Sequence, residues 1–225
     1  MCGRFTLFTD EQELIDEFAI ENSFTYEQSF NIAPSQHVLA IINNGKENRA
    51  GQLHWGLIPP WAKDKKIAYK MINARGETLA EKPSFKRAFQ SRRCIIPTSG
   101  FYEWKRTEDG KKPYFIRLKN QDLFAFAGLW EKWKDPISEE DIYTCTIVTT
   151  SPNKMMANLH DRMPLLLDRK NQEDWLNPQM KDKDYLQQLV KPFPSEEMTA
   201  YEVSTAVNKP VYNGPELVER LSGNS

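Results

Sequence analysis

Five short segments rich in β-branched and aromatic residues crowd the middle of this chain, at 94–96, 101–106, 114–118, 123–128 and 143–149. Turn formers such as Glu108-Asp109-Gly110 separate them. Runs this short, punctuated this often, pair mostly as antiparallel strands. Further strands are predicted at 4–8, at 38–42 before the hairpin signal Asn43-Asn44-Gly45, and at 198–203. Thr9, followed three residues later by Gln12, reads as a capping box opening a helix with Leu14, Ile15 and Phe18 on one face. Other helices are predicted at 84–90, with Pro83 near the first turn, and at 171–176 and 183–190. No repeat, linker or composition break interrupts the pattern. The expected class is α+β: a single β-rich domain over residues 1–218, mostly antiparallel around an open barrel-like core, with peripheral helices. Residues 219–225 are expected to form a frayed tail.

Composition narrows the function. The 225 residues carry a net charge of −1, so nothing draws the whole chain to nucleic acid or membrane, and an anionic partner needs a local basic groove. Three widely spaced cysteines, Cys2, Cys94 and Cys145, make neither a disulfide framework nor a CxxC site. No apolar run reaches the length of a membrane span, and the N-terminus lacks the basic-then-apolar order of a signal peptide. A reducing, cytoplasmic setting without membrane contact is expected, with nucleoid association if the source is bacterial. Without a spaced Cys/His set, neither a metal nor a cofactor is expected.

Four segments carry chemistry. Removal of Met1 leaves Cys2 with an α-amine (reference pKa about 7.7–8.0) and a thiol (about 8.5) on adjacent carbons. Such an aminothiol condenses with an aldehyde and closes to a five-membered thiazolidine. Beside it, Arg4 offers a bidentate donor to phosphate, although by itself it reads more simply as a solvated strand-edge charge. In Asn73-Ala74-Arg75, an extended backbone puts Asn73 and Arg75 on one face, whereas an Asx turn leaves Arg75 merely exposed. Glu103 lies in an aromatic strand after a turn. Facing inward it would be desolvated, with a raised pKa suited to acid–base work; facing outward it has no role. His160, between Leu159 and Asp161-Arg162, has the best neighbourhood for proton transfer of the three histidines, or belongs to a plain surface loop. His37 and His54 read as structural.

Six motifs occur in order: Met-Cys-Gly-Arg-Phe at the start, Asn-Ile-Ala-Pro at 31–34, Trp-Gly-Leu-Ile-Pro-Pro-Trp at 55–61, Asn-Ala-Arg-Gly-Glu-Thr at 73–78, Ser-Gly-Phe-Tyr-Glu-Trp at 99–104 and His-Asp-Arg-Met-Pro at 160–164. Together they resemble the SOS response-associated peptidase family of abasic-site processing proteins. The resemblance implies recognition of abasic sites in single-stranded DNA and a covalent cross-link through the N-terminal cysteine, which shields the lesion. It implies Cys2 as nucleophile, Asn73, Glu103 and His160 as the supporting catalytic set, and Arg4, Arg75 and Arg162 at phosphates. Pro34 and Trp61 fall in motifs that shape the DNA groove. Met1 removal, autocatalytic or not, exposes Cys2, and a monomer is expected. Two rivals stand beside this reading. One is an N-terminal-nucleophile amidohydrolase or peptidase, whose free amine is the base. The other is a non-covalent single-stranded DNA-binding module with an inert Cys2.

Overall fold

The computed structural model describes residues 2–221. Twelve strands form two sheets, with four α-helices on the periphery. Strand β1 (Phe5–Leu7) leads into α1 (Glu11–Phe18), then β2 (Ser29–Ile32), β3 (His37–Asn43) and β4 (Asn48–Trp55). A loop with a 3-10 turn precedes β5 (Asn73–Arg75), followed by α2 (Lys86–Ser91), β6 (Arg93–Thr98), β7 (Gly100–Thr107), β8 (Gly110–Leu118), β9 (Phe124–Lys134) and β10 (Asp141–Thr150). The chain ends with β11 (Met163–Pro164), α3 (Arg169–Leu176), α4 (Lys183–Gln188) and β12 (Met198–Glu202).

The first sheet runs β12-β8-β7-β1-β2. In the second, pairing proceeds β10-β4-β3-β6-β9 and returns from β9 to β10, so the barrel-like core closes into a ring. The closure goes beyond the open form expected. Strand β10 makes it possible by sharing out its length. Residues 141–147 pair antiparallel with β9, Thr144 and Cys145 pair parallel with β4, and Ile147–Thr149 pair parallel with β5. Those parallel rungs and the isolated Ile20–Asn48 bridge are the exceptions in a mostly antiparallel architecture.

Alternation along the strands sends apolar side chains into the ring and between the sheets. At the junction Phe5 meets Trp55 and Phe126 edge-on, with centroids 5.2 and 5.6 Å apart, and Phe101 meets Phe126 at 5.8 Å. All four rings are essentially buried. The aromatic lock fixes β1, and with it the N-terminus, against the barrel.

Gly100 begins β7 where the neighbouring strand β8 approaches closely. A Cβ there would lie 2.2 Å from the Phe115 ring and 2.9 Å from Ile116 O. Gly100→Ala is therefore expected to destabilise the fold by about 1–3 kcal/mol, the usual range for overpacking. Urea unfolding measures it, and a midpoint equal to the parent's would refute the close approach.

Local details correct the sequence reading. The N-cap of α1 is Asp10, whose carboxylate accepts from Glu13 N–H at 2.8 Å; Thr9 Oγ1 bonds the Glu13 side chain instead. The capping box is displaced because Asp10 offers a stronger acceptor one residue closer to the helix. The hairpin signalled after β3 forms, with a four-residue loop between the paired Asn43 and Asn48 and Gly45 at φ +95°. Asn43 and Asn44 side chains accept backbone N–H groups within it, which favours this loop. At the C-terminus, Leu221 N–H donates to Glu202 O at 3.0 Å. The rest of the expected tail, 222–225, lies outside the described residues.

Candidate active site between the two sheets

Four elements deliver the residues of the site. Strand β1 runs antiparallel to β7, with Phe5 opposite Phe101 and Tyr102 N–H bonded to Arg4 O at 2.9 Å. Extending that register brings Gly3 alongside Glu103, so Cys2 and Glu103 are neighbours by strand pairing. Asn73 comes from the other sheet. Strand β5 is extended and pairs with β10, Asn73 opposite Ile147, and its amide reaches across to donate to Cys2 O at 2.8 Å. Asn73 Oδ1 is buried with no hydrogen-bond partner among the described residues. His160 follows a 3-10 turn at Met156–Asn158 and precedes β11, which pairs with the end of β10.

Electrostatics tie the set together. Burial and the Glu103 carboxylate push the Cys2 thiol well above its ordinary range, opposed by a hydrogen bond from the Arg4 backbone. Glu103 is only 3% exposed, and desolvation raises its pKa while His160 pulls the other way. The site therefore holds a protonated thiol against a carboxyl whose proton is retained above the normal carboxylate range. Such a carboxyl is an exchangeable proton store.

The ring of His160 has two claims on Nδ1. It lies 3.0 Å from the Arg162 backbone N–H and 2.7 Å from Asp161 Oδ1. A lone pair at Nδ1 serves the first and a proton there serves the second, so one tautomer cannot satisfy both. The backbone donor is fixed by the loop, whereas the Asp161 side chain is 84% exposed. The fixed backbone donor favours a lone pair at Nδ1 and so the tautomer with its proton on Nε2.

The loop is itself clamped. Arg162 makes a bidentate ion pair with Glu77, both bonds 2.8 Å, and donates to Thr149 O at 2.8 Å. The pairing holds the Glu77 carboxyl below its usual pKa. Glu77 lies two residues beyond Arg75, so this clamp joins the segment carrying Asn73 to the loop carrying His160.

Sequence reasoning expected phosphate ligands at Arg4, Arg75 and Arg162. Arg4 is turned inward: it donates to Asn31 Oδ1 at 2.8 Å and Val207 O at 2.6 Å, and its guanidinium lies 5.9 Å from the Trp104 ring centroid. Arg162 is engaged by Glu77. Arg75 is exposed and lines a cleft of about 670 Å³ with Trp104, Arg106 and the loop 157–162. Pro34 and Trp61 are not among that lining. Pro34 sits half-buried in the turn before β3, and Trp61 is 57% exposed on the loop after β4.

Three contributors escaped the sequence reading. Asn31, 2% exposed, holds Arg4 and donates to Lys209 O and Tyr212 O, linking β2 to the C-terminal segment. Glu77 clamps Arg162, and Arg106 faces the cleft. Asn31 and Glu77 both fall inside the quoted motifs, so their signal was present without an assigned partner. Among the described residues no group of three or more His, Cys, Asp and Glu side chains is placed to hold a metal ion. No helix among them is long and apolar enough to cross a membrane.

Comparison with known proteins bears on the chain as a whole. The profile of the SOS response associated peptidase (SRAP) family matches residues 1–210. The chain is 55% identical over 223 residues to the abasic site processing protein YoqW of Bacillus subtilis (strain 168), covering 97% of this chain and 99% of that one. It is 31% identical to the abasic site processing protein HMCES of Xenopus tropicalis, across 89% of this chain and 68% of that protein. A crystal structure of a protein from Bacteroides thetaiotaomicron superposes with a TM-score of 0.90 at 28% identity, covering 97% of this chain and 99% of the other. A match over nearly all its length, in sequence and in fold, means that the chain belongs to the SOS response associated peptidase family.

Proposed function

We propose that this protein processes abasic sites in single-stranded DNA by cross-linking to them through Cys2. The observation that carries the reading is the placement of a buried carboxyl with a raised pKa, Glu103, against the Cys2 thiol, beside Asn73 and His160. The names of the relatives supply the substrate class. Residues 1–218 are taken as the working domain, acting as a monomer.

The chemistry begins with Met1 removal, which frees the Cys2 amine. His160 and Glu103 move protons as the closed sugar opens to its C1′ aldehyde. The neutral amine attacks C1′, and Glu103 protonates the hydroxyl, which leaves as water. The resulting imine is open to hydrolysis and to β-elimination of the strand. The Cys2 sulfur then adds to C1′, its proton returning to the Glu103 carboxylate, and the five-membered ring closes. One water is lost overall and nothing is oxidised or reduced. Held side by side, the two groups react as if at roughly 10⁵ M or more, so closure outruns cleavage. A thiol kept protonated by burial leaves the first attack to the amine. Asn73 Oδ1, buried and unpartnered, is the acceptor for a hydroxyl of the opened sugar.

A denaturing gel tests the reading. Protein lacking Met1 is mixed with an oligonucleotide from which uracil has been excised. A heat-stable shifted band that needs both the lesion and Cys2 is expected. Free DNA in every lane would contradict the reading, and glutaminase activity without a band would favour an amidohydrolase.

In this account Arg162 is a positioning residue. Arg162→Ala and Glu77→Gln are each expected to slow cross-linking roughly 10- to 100-fold, with the double variant no worse than either. Glu77→Gln is the sharper probe. It removes a negative charge and releases Arg162, so faster cross-linking in that variant would show that Arg162 serves DNA rather than the loop.

A further inference from the structure

The hairpin formed by β7 and β8 sets cations directly against each other. Its register pairs Lys105 with Lys112 and Arg106 with Lys111 on successive rungs. Like charges facing one another across strands destabilise a sheet. Among the described residues only Lys112 of these four is relieved by a carboxylate, that of Glu202 at 3.5 Å. Arg106 and Lys111 are exposed, and neither side chain makes an ion pair or hydrogen bond among the described residues. The acidic turn residues Glu108 and Asp109 lie beyond these rungs and form no ion pair with them. Folding gives no reason for this arrangement, and an anionic partner does.

The rungs also lead into the site. Arg106 lines the cleft with Trp104, His160 and Arg75. Because the whole chain carries a net charge of −1, the cation surplus here is local rather than general. Arg162 is paired with Glu77 and Arg4 is hydrogen-bonded to Asn31, whereas Arg75, Arg106 and Lys111 are exposed to solvent. The Arg106–Lys111 rung sets a guanidinium and an ammonium side by side on one face of the hairpin, a local pair of charges that fits the phosphates of a nucleic-acid backbone.

We propose that the β7–β8 hairpin is a phosphate-binding arm for the DNA strand leaving the cleft, with Arg106 and Lys111 as its contacts. The inference rests on the DNA reading above and adds where the strand runs.

The test uses an undamaged 20-nucleotide oligo-dT, so that binding is read without cross-linking. Affinity is followed by fluorescence anisotropy between 50 and 200 mM salt. Each phosphate contact on single strands contributes about 0.7 to the slope of log affinity against log salt. R106Q/K111Q is expected to lower that slope by about 1.4, so that wild type loses about sevenfold more affinity than the variant across this fourfold range. The charge-keeping R106K/K111R should retain the slope. The pair K170Q/K183Q, exposed lysines on α3 and α4 outside the cleft, should also leave it unchanged. Thermal unfolding of R106Q/K111Q should be unchanged or raised, because repulsion has been removed. A wild-type slope in R106Q/K111Q, or an equal fall in K170Q/K183Q, overturns the inference. The cross-linking gel with wild type is run alongside. Failure there sinks the abasic-site reading, whereas a wild-type cross-link with an unaltered R106Q/K111Q slope sinks only the arm.

Discussion

Glu103→Gln is expected to slow cross-link formation by about 10²–10⁴-fold, the usual contribution of a positioned acid–base group, while making the protein more stable at neutral pH. Both effects share one cause. Glu103 is buried, and desolvation raises its pKa above that of an unfolded glutamate. Between the unfolded and folded pKa values the native state binds more protons than the unfolded chain, so stability falls as pH rises through that window. Below the unfolded value both states are protonated and nothing is lost. Above the folded value the full cost of holding a buried carboxylate is present. Glutamine has the same shape and never ionises, so it escapes that cost. Thermal unfolding from pH 4 to pH 8 should show wild type and variant diverging as pH rises, with the variant more stable at the alkaline end. A variant less stable than wild type at pH 8 would mean that the carboxylate is held by favourable bonds rather than by desolvation. The cross-linking rate of wild type should in turn follow a bell, its acid limb set by the Cys2 amine and its alkaline limb by loss of the Glu103 proton.

Arg93→Met is expected to cost several kcal/mol of folding stability, at about 1–3 kcal/mol for each backbone carbonyl left buried without a donor. Arg93 opens β6, is 4% exposed, and donates only to backbone carbonyls. Nε reaches Trp175 O at 2.6 Å, Nη1 reaches Phe89 O and Gln90 O at 2.8 and 3.2 Å, and Nη2 reaches Asn177 O and Met180 O at 2.6 and 3.0 Å. Those carbonyls belong to the last turns of α2 and α3 and the chain just beyond, where helical bonding runs out and the dipoles turn negative. One planar guanidinium satisfies both ends, which a lysine's single point of charge cannot do. Burial lowers the pKa of Arg93 to about 10, still leaving it charged at neutrality. Arg93→Lys should fall between parent and Arg93→Met. Denaturant unfolding gives the numbers, and a loss below about 1 kcal/mol in Arg93→Met would show that water replaces the guanidinium.

Legibility in the sequence followed how local each signal was. The strands from β6 to β10 were visible because β-branched and aromatic runs end in turn residues, and α1, α3 and α4 because their apolar spacing is helical. Strand β4 escaped: Asn48–Trp55 reads Asn-Arg-Ala-Gly-Gln-Leu-His-Trp, with too little apolar alternation to announce a strand. Its partners β3 and β10 impose the conformation. Closure of the ring escaped for a related reason, since it depends on how β10 divides its length among four neighbours. At the site, Cys2, Asn73, Glu103 and His160 were named from motifs, and the fold assembles them from four distant stretches. The arginines were harder. Residue type proposes a phosphate ligand, but only tertiary context shows that Arg4 is tied to Asn31 and Arg162 to Glu77. Arg106 went unnoticed because its significance lies in the cation across the strand, Lys111, and in the cleft it faces.

The central claim is that the Cys2 amine and thiol close one ring on the aldehyde of an abasic site. Comparing wild type with Cys2→Ser, each freed of Met1 and mixed with abasic single-stranded DNA with or without borohydride, tests it most directly. An imine and a thiazolidine have lost the same single water and cannot be told apart by mass, but only the imine needs reduction to survive heating. Wild type is predicted to give a heat-stable adduct without borohydride, in which Cys2 resists alkylation after denaturation. Cys2→Ser should give a heat-stable adduct only when borohydride is present. An unreduced, heat-stable adduct of Cys2→Ser, or a wild-type adduct whose Cys2 still alkylates, would contradict the account.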